Sequence, residues 1–126
     1  MILNENEVKS CLIYICEKFL KDKIKILEAD LSINHKISMV AKVIYDHQPF
    51  DMSASFFMDY KNKHISVYDI DASVNYLVFQ LNFMNLVRHV LKDFPITYTD
   101  NTMSYFIDLP IKEIVIGDKE IELKIK

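Results

Sequence analysis

Few residues in this chain have the chemistry for catalysis or metal binding. They are His35, His47, His64 and His89, Cys11 and Cys16, and the neighbouring carboxylates Asp69 and Asp71. A metal would need several of these to converge. In an antiparallel meander, the turns at 34–36 and 61–63 share one end of the sheet and bring His35 towards His64. His47 falls at the opposite end with Asp46, and a bend after residue 69 would add Asp69 or Asp71. No H-E-x-x-H, C-x-x-C or calcium-loop spacing accompanies them, so turn polarity is the expected role, and neither metal nor cofactor is expected. His89, between Arg88 and Val90 on a helix, reads as a surface or boundary residue. Asp69 and Asp71, two apart on a strand, would suit acid–base work if burial raised one pKa. Ile70 and Ala72 place the apolar side opposite them, so a solvated outer face is expected.

Cys11 and Cys16 share a predicted helix about 140° apart around its axis, where they cannot bridge. Both flank its apolar face and read as reduced thiols, which suits a cytoplasmic location. No serine sits in a nucleophile motif. The single glycine, Gly117, leaves no G-x-G-x-x-G, no G-x-x-x-x-G-K-[ST] and no G-x-S-x-G. With no catalytic motif, the chain reads as non-enzymatic.

The elements that would position these residues follow from periodicity. Asn4 caps a helix over 5–22, with Glu5 and Glu7 at its positive end and Lys18, Lys21 and Lys23 near its C-terminal end. Its stripe is Val8, Cys11, Leu12, Ile15, Cys16, Phe19 and Leu20. The period then becomes two. Strand 24–33 carries Leu27, Ala29, Leu31 and Ile33 on one face, and strand 37–45 carries Ile37, Met39, Ala41, Val43 and Tyr45. Pro49 breaks the chain before strand 50–60, where Phe57 is the one large apolar residue on the polar face. A long strand over 64–79 places Tyr68, Ile70, Ala72, Val74, Tyr76 and Val78 together; a helix from Ser73 to Asp93 competes with its end. A helix over 83–94, capped by Asn82 and ended by Pro95, precedes strands at 96–99, 103–109, 112–116 and 119–126. Helix, four strands, helix, four strands is an α+β order. It predicts an antiparallel, strongly curved meander packed around the N-terminal helix, with a second helix after the fourth strand, in one domain over 1–126.

Composition narrows the partners. The net charge is −3 and Arg88 is the only arginine, which argues against nucleic acid. No apolar run is long enough to span a membrane, and the acidic N-terminus lacks the basic region of a signal peptide.

"ISVYDIDASVNYLVFQ" leads into the second helix, and "MSYFIDLP", "IKEIVIGD" and "KEIELKIK" follow it. In element order and strand style, residues 20–126 resemble the tubular lipid-binding (TULIP-like) superfamily. That resemblance implies a long curved sheet around a helix, enclosing a groove for lipids or other extended apolar molecules. It carries no motif through which site residues transfer. From the residues themselves, Ile15, Phe19, Met39, Met52, Phe56, Met58 and Tyr76 are expected to line an apolar groove between the first helix and the sheet. A chain of about ten carbons, at ~0.8 kcal/mol per buried CH₂, would bind there without a strong polar anchor. The alternative is a protein-interaction or oligomerisation module with a fully packed core, homo-oligomeric through Phe57, Leu77 and Phe79.

Overall fold

The computed structural model describes residues 1–20 and 23–126. The expected helix positions Lys21 and Asp22 lie outside the described residues. A short strand, β1 (Ile2–Asn4), which periodicity had not indicated, runs straight into α1 (Glu5–Phe19). The junction is a capping box. Asn4 Oδ1 accepts from the Glu7 amide at 2.9 Å, and Glu7 Oε1 accepts from the Asn4 amide at 3.0 Å. Two amides orphaned by the helix start are thereby satisfied.

β2 (Ile24–Ile33), β3 (Ile37–Tyr45), β4 (Gln48–Lys61) and β5 (His64–Tyr76) form the antiparallel meander. Two of its turns are made by consecutive left-handed residues, Asp46–His47 (φ 52° and 62°) and Asn62–Lys63 (φ 53° and 58°). That pattern belongs to type I′ hairpins, whose twist matches the flanking strands. Among the described residues nine non-glycines have positive φ, whereas Gly117 does not. Most are Asp, Asn, His or Lys, and Asp and Asn tolerate this region through local side-chain hydrogen bonds. The chain thus builds tight hairpins almost without glycine.

Pro49 breaks nothing: it lies inside β4 opposite Ile44. The pairing of β4 with β5 begins only at Asp51, so the position where Pro lacks a donor has no ladder to supply.

Two bulges reset the side-chain parity within the meander. In β2 the register slips between Ile26 and Glu28, which turns Leu27 out to 50% exposure while Ala29, Leu31 and Ile33 stay inside. Between β4 and β5 the slip falls at Ser55/Phe57, opposite Asp69 and Ile70, with Asp69 at φ 50°. Before this bulge Ile65 and Val67 face inward; after it Ile70, Ala72 and Val74 do. The expected single face Tyr68–Val78 is therefore broken. Tyr68 faces outward and stacks on Phe57 with centroids 5.6 Å apart, which accounts for an aromatic on the polar face of β4. The Ile70 amide, freed by the bulge, donates to the Asn101 carbonyl at 3.2 Å.

β5 stops at Tyr76. Leu77 takes φ 55°, and after the two-residue turn Leu77–Val78 a short β6 (Phe79–Leu81) folds back onto β5. Neither a strand to 79 nor a helix from Ser73 forms. α2 (Phe83–Val90) follows, with Asn82 Oδ1 accepting from the Asn85 amide at 2.9 Å. β7 (Ile96–Thr99) and β8 (Thr102–Phe106) extend the seven-stranded sheet in the order β2-β3-β4-β5-β8-β7, with β6 on β5. β9 (Ile111–Ile116) and β10 (Glu120–Ile125) join β1 in a three-stranded sheet. The fold is α+β: mostly antiparallel sheet, with an N-terminal helix and a second helix after the meander. Among the described residues no helix is long and apolar enough to cross a membrane.

The main core lies where the small sheet meets one end of the large one. Val8, Ile33, Ile37, Tyr60, Ile111, Ile114 and Ile121 are buried there. Backbone bonds knit the two sheets: the Lys119 amide donates to the Ile33 carbonyl (2.9 Å) and the His35 amide to the Gly117 carbonyl (2.8 Å).

Candidate functional site

Further along the inner face of the large sheet lies an apolar cavity of about 170 Å³. Its floor is Met39 and Ala41 of β3 and Met52, Ala54, Phe56 and Met58 of β4. Val67 and Ile70 of β5 and Met103 of β8 form its far wall; Leu12 of α1 and Phe83 of α2 bound it from above. Among the described residues every one that lines it is apolar, and four are methionines, whose unbranched thioethers adapt to irregular space.

Of the seven residues expected to line a groove, the structure brings Met39, Met52, Phe56 and Met58 together here. Ile15 and Phe19 are not in the lining: they are 49% and 58% exposed. Ile15 lies only about 20° around the helix from Val8, so its position along α1 separates them. Glu5 Oε2 accepts from the Ile33 amide at 2.7 Å and anchors the start of the helix. Val8 and Leu12 reach the core while Ile15, a turn further on, does not. Phe19, in the last turn, lies beyond the core that Val8 and Leu12 enter. Tyr76 is not in the lining either. Its hydroxyl donates to Gln48 Oε1 at 2.6 Å, and its ring lies 5.3 Å from Phe50. Phe50 in turn approaches Tyr45 (6.1 Å), which meets His89 edge-on (6.2 Å).

Sequence reasoning missed Val67 and Met103 because the bulge at Asp69 reverses parity between the two halves of β5, and Met103 pairs with Val67. It missed Phe83 as a lining residue because nothing in the helix stripe of α2 says which end overhangs a void.

α2 is held at its C-terminal end by Lys23, whose Nζ donates to the Val90 carbonyl at 3.0 Å and pairs with Asp93 at 3.3 Å. Arg88 lies 5.2 Å above the ring of Tyr98. The Tyr98 hydroxyl oxygen is shielded from solvent and has no hydrogen-bond partner among the described residues; burial pushes its pKa up, against an opposing pull from Arg88.

The titratable residues do not assemble. Among the described residues no group of three His, Cys, Asp or Glu could hold a metal. His64 Nδ1 meets the Asn62 carbonyl at 2.8 Å while its ring packs edge-on against Phe106. Cys11 is exposed and Cys16 half-buried. Burial, with the negative Glu17 beside it, raises the Cys16 thiol pKa, opposite to what a reactive thiolate needs. Asp71 pairs with Ser55 on the outer face, and Asp69 is the bulge residue.

A larger trough of about 410 Å³ crosses that outer face. Serines floor it, and two of them, Ser53 and Ser73, hydrogen-bond each other at 2.9 Å. It runs between Asp30 and Asp71, both exposed, with Val40 exposed as well. Its lining mixes serines and aspartates with Leu31, Met39 and Val40, so it is more polar than the smaller inner cavity.

Comparison with protein-family models, with curated proteins and with solved structures finds no match to this chain.

Proposed function

We propose that the protein is a non-enzymatic binding domain that takes an apolar group of a small molecule into the inner cavity. The supporting observation is a void whose lining, among the described residues, is apolar throughout and includes four methionines. A cavity of about 150 Å³ with such a lining stays dry and accepts benzene. At about 170 Å³, this one accommodates a ring or a short branched alkyl group rather than a whole ten-carbon chain. Six buried carbons at ~0.8 kcal/mol each yield about 5 kcal/mol, close to millimolar affinity. A tighter ligand must therefore extend past Leu12 or Phe83 and place a polar end at the rim. The likeness to tubular lipid-binding proteins stays within this proposal, as a shared way of setting an apolar site beneath a helix on long antiparallel strands.

The test is solvent extraction of the freshly purified protein followed by mass spectrometry. A defined apolar molecule at close to one per chain supports the reading. A protein that emerges empty and takes up no apolar compound offered to it refutes the reading.

A further inference from the structure

The β5–β6 hairpin is the most exposed apolar feature of the fold. Leu77, Val78 and Phe79 are 74%, 92% and 62% exposed. β6 pairs with β5 along one edge, and among the described residues no strand pairs with the other. An open edge offers unpaired backbone groups to another strand, and natural proteins blunt such edges with charge, proline or a bulge. β2, at the end of the same sheet, shows that protection: it carries Lys25, Glu28 and Asp30 and a bulge at Leu27. β6 has none of it. From Ala72 to Val87 there is no charged residue, no histidine and no proline, in a chain that is 26% charged.

The register says what the edge presents. Tyr76 and Phe79 flank the two-residue turn, and Asn75 pairs with Gln80 next. In such a hairpin the closing pair exchanges hydrogen bonds and the following pair does not. The N–H and C=O of Gln80 therefore point away from β5, towards the free edge.

We propose that β6 pairs antiparallel with β6 of a second copy of this chain, about a twofold axis at Gln80. In that register Gln80 exchanges both backbone bonds with Gln80 of the second copy. Phe79 then lies opposite Leu81 of the second copy, and Leu81 opposite Phe79. The segment is self-complementary, as an isologous interface requires, and contains no charge to repel its own copy. A lipid surface fits less well. Asp51 pairs with Asn75 at the base of the hairpin, Asp46 sits in the adjoining turn, and hydrocarbon would leave the Gln80 backbone groups unsatisfied.

The test is the molar mass of the whole chain in solution across a concentration series, with amide hydrogen exchange at Gln80. The expected result is a rise from the 14.9 kDa monomer to twice that mass, with the Gln80 amide protected only in the dimer. Gln80→Pro removes the outward donor without touching the β5 ladder, and Phe79→Lys places a charge on the edge. Each is expected to weaken the dimer at least tenfold while thermal unfolding of the monomer stays cooperative. If Gln80→Pro does not fold, Phe79→Lys and the exchange measurement decide. A wild type that is monomeric throughout overturns the proposal. So does a dimer that resists both variants, or a monomer that instead sediments with anionic vesicles through Phe79.

Discussion

Two tyrosines, one in each region of the interior, show how differently those regions are built. In the main core, the Tyr60 hydroxyl donates to the Ile107 carbonyl at 2.7 Å and accepts from the Leu109 amide at 2.9 Å. It thereby fixes the chain as it leaves the large sheet for the small one. Near α2, the shielded Tyr98 hydroxyl has no partner among the described residues. The first region is closed by branched aliphatic residues, with Ile33 and Ile37 at 1% and 0% exposure. The second is filled by methionines around a void and covered by a two-turn helix. One region specifies the structure, and the other leaves room in it.

Substitutions should separate the two regions. The largest effect is expected at Ile37→Ala, which removes buried methyl groups from the closed region and should cost about 2–5 kcal/mol in chemical denaturation. Tyr60→Phe should cost about 1–3 kcal/mol, because it removes the partner of a half-buried carbonyl and a half-buried amide. Tyr98→Phe should cost nothing or stabilise, since it removes a polar group that has no bond to lose. Equal losses at the two tyrosines would erase the distinction drawn here.

The only glycine provides a smaller test. At Gly117 φ is not positive, and an added Cβ would meet its nearest atoms at 3.6 and 3.7 Å, which is ordinary contact. Gly117→Ala should therefore stabilise by about 0.4–1 kcal/mol through loss of unfolded-state freedom. A destabilised variant would place strain where the backbone shows none.

The smallest effect concerns Cys16. Its thiol pKa is raised above the ordinary 9.0, so the folded chain holds this proton more tightly than the unfolded chain does. The associated stability is complete below that pH and is lost as pH rises through the raised value. Above pH 9 the denaturation midpoint should fall less steeply in Cys16→Ala than in wild type. At neutral pH a thiol reagent should label Cys11 quickly and Cys16 slowly.

Much of this was legible in the sequence. The cap at Asn4, the four long strands, the two helices and the inward faces of β3 and β4 all follow from periodicity and turn chemistry. So does the grouping of Met39, Met52, Phe56 and Met58. What was hidden turns on single backbone events. Leu27 and Asp69 shift parity by one residue each, and no glycine marks either bulge. The turn at Leu77–Val78 contains no residue that prefers to turn, so an unbroken alternation concealed a hairpin. Ile15 lies only about 20° around α1 from the buried Val8, so spacing within the helix cannot show that the core ends at Leu12 and leaves Ile15 exposed.

The most direct measurement is the thermal stability of wild type and Ala54→Leu against a size series of apolar ligands, from benzene to decanoate. Wild type should gain stability saturably, at one ligand per chain, with ring-sized groups favoured for their fit to about 170 Å³. Ala54→Leu should start more stable, as cavity filling commonly gives, and should respond to none of them. A wild type indifferent to every ligand, or a variant that responds as wild type does, would contradict binding in the cavity.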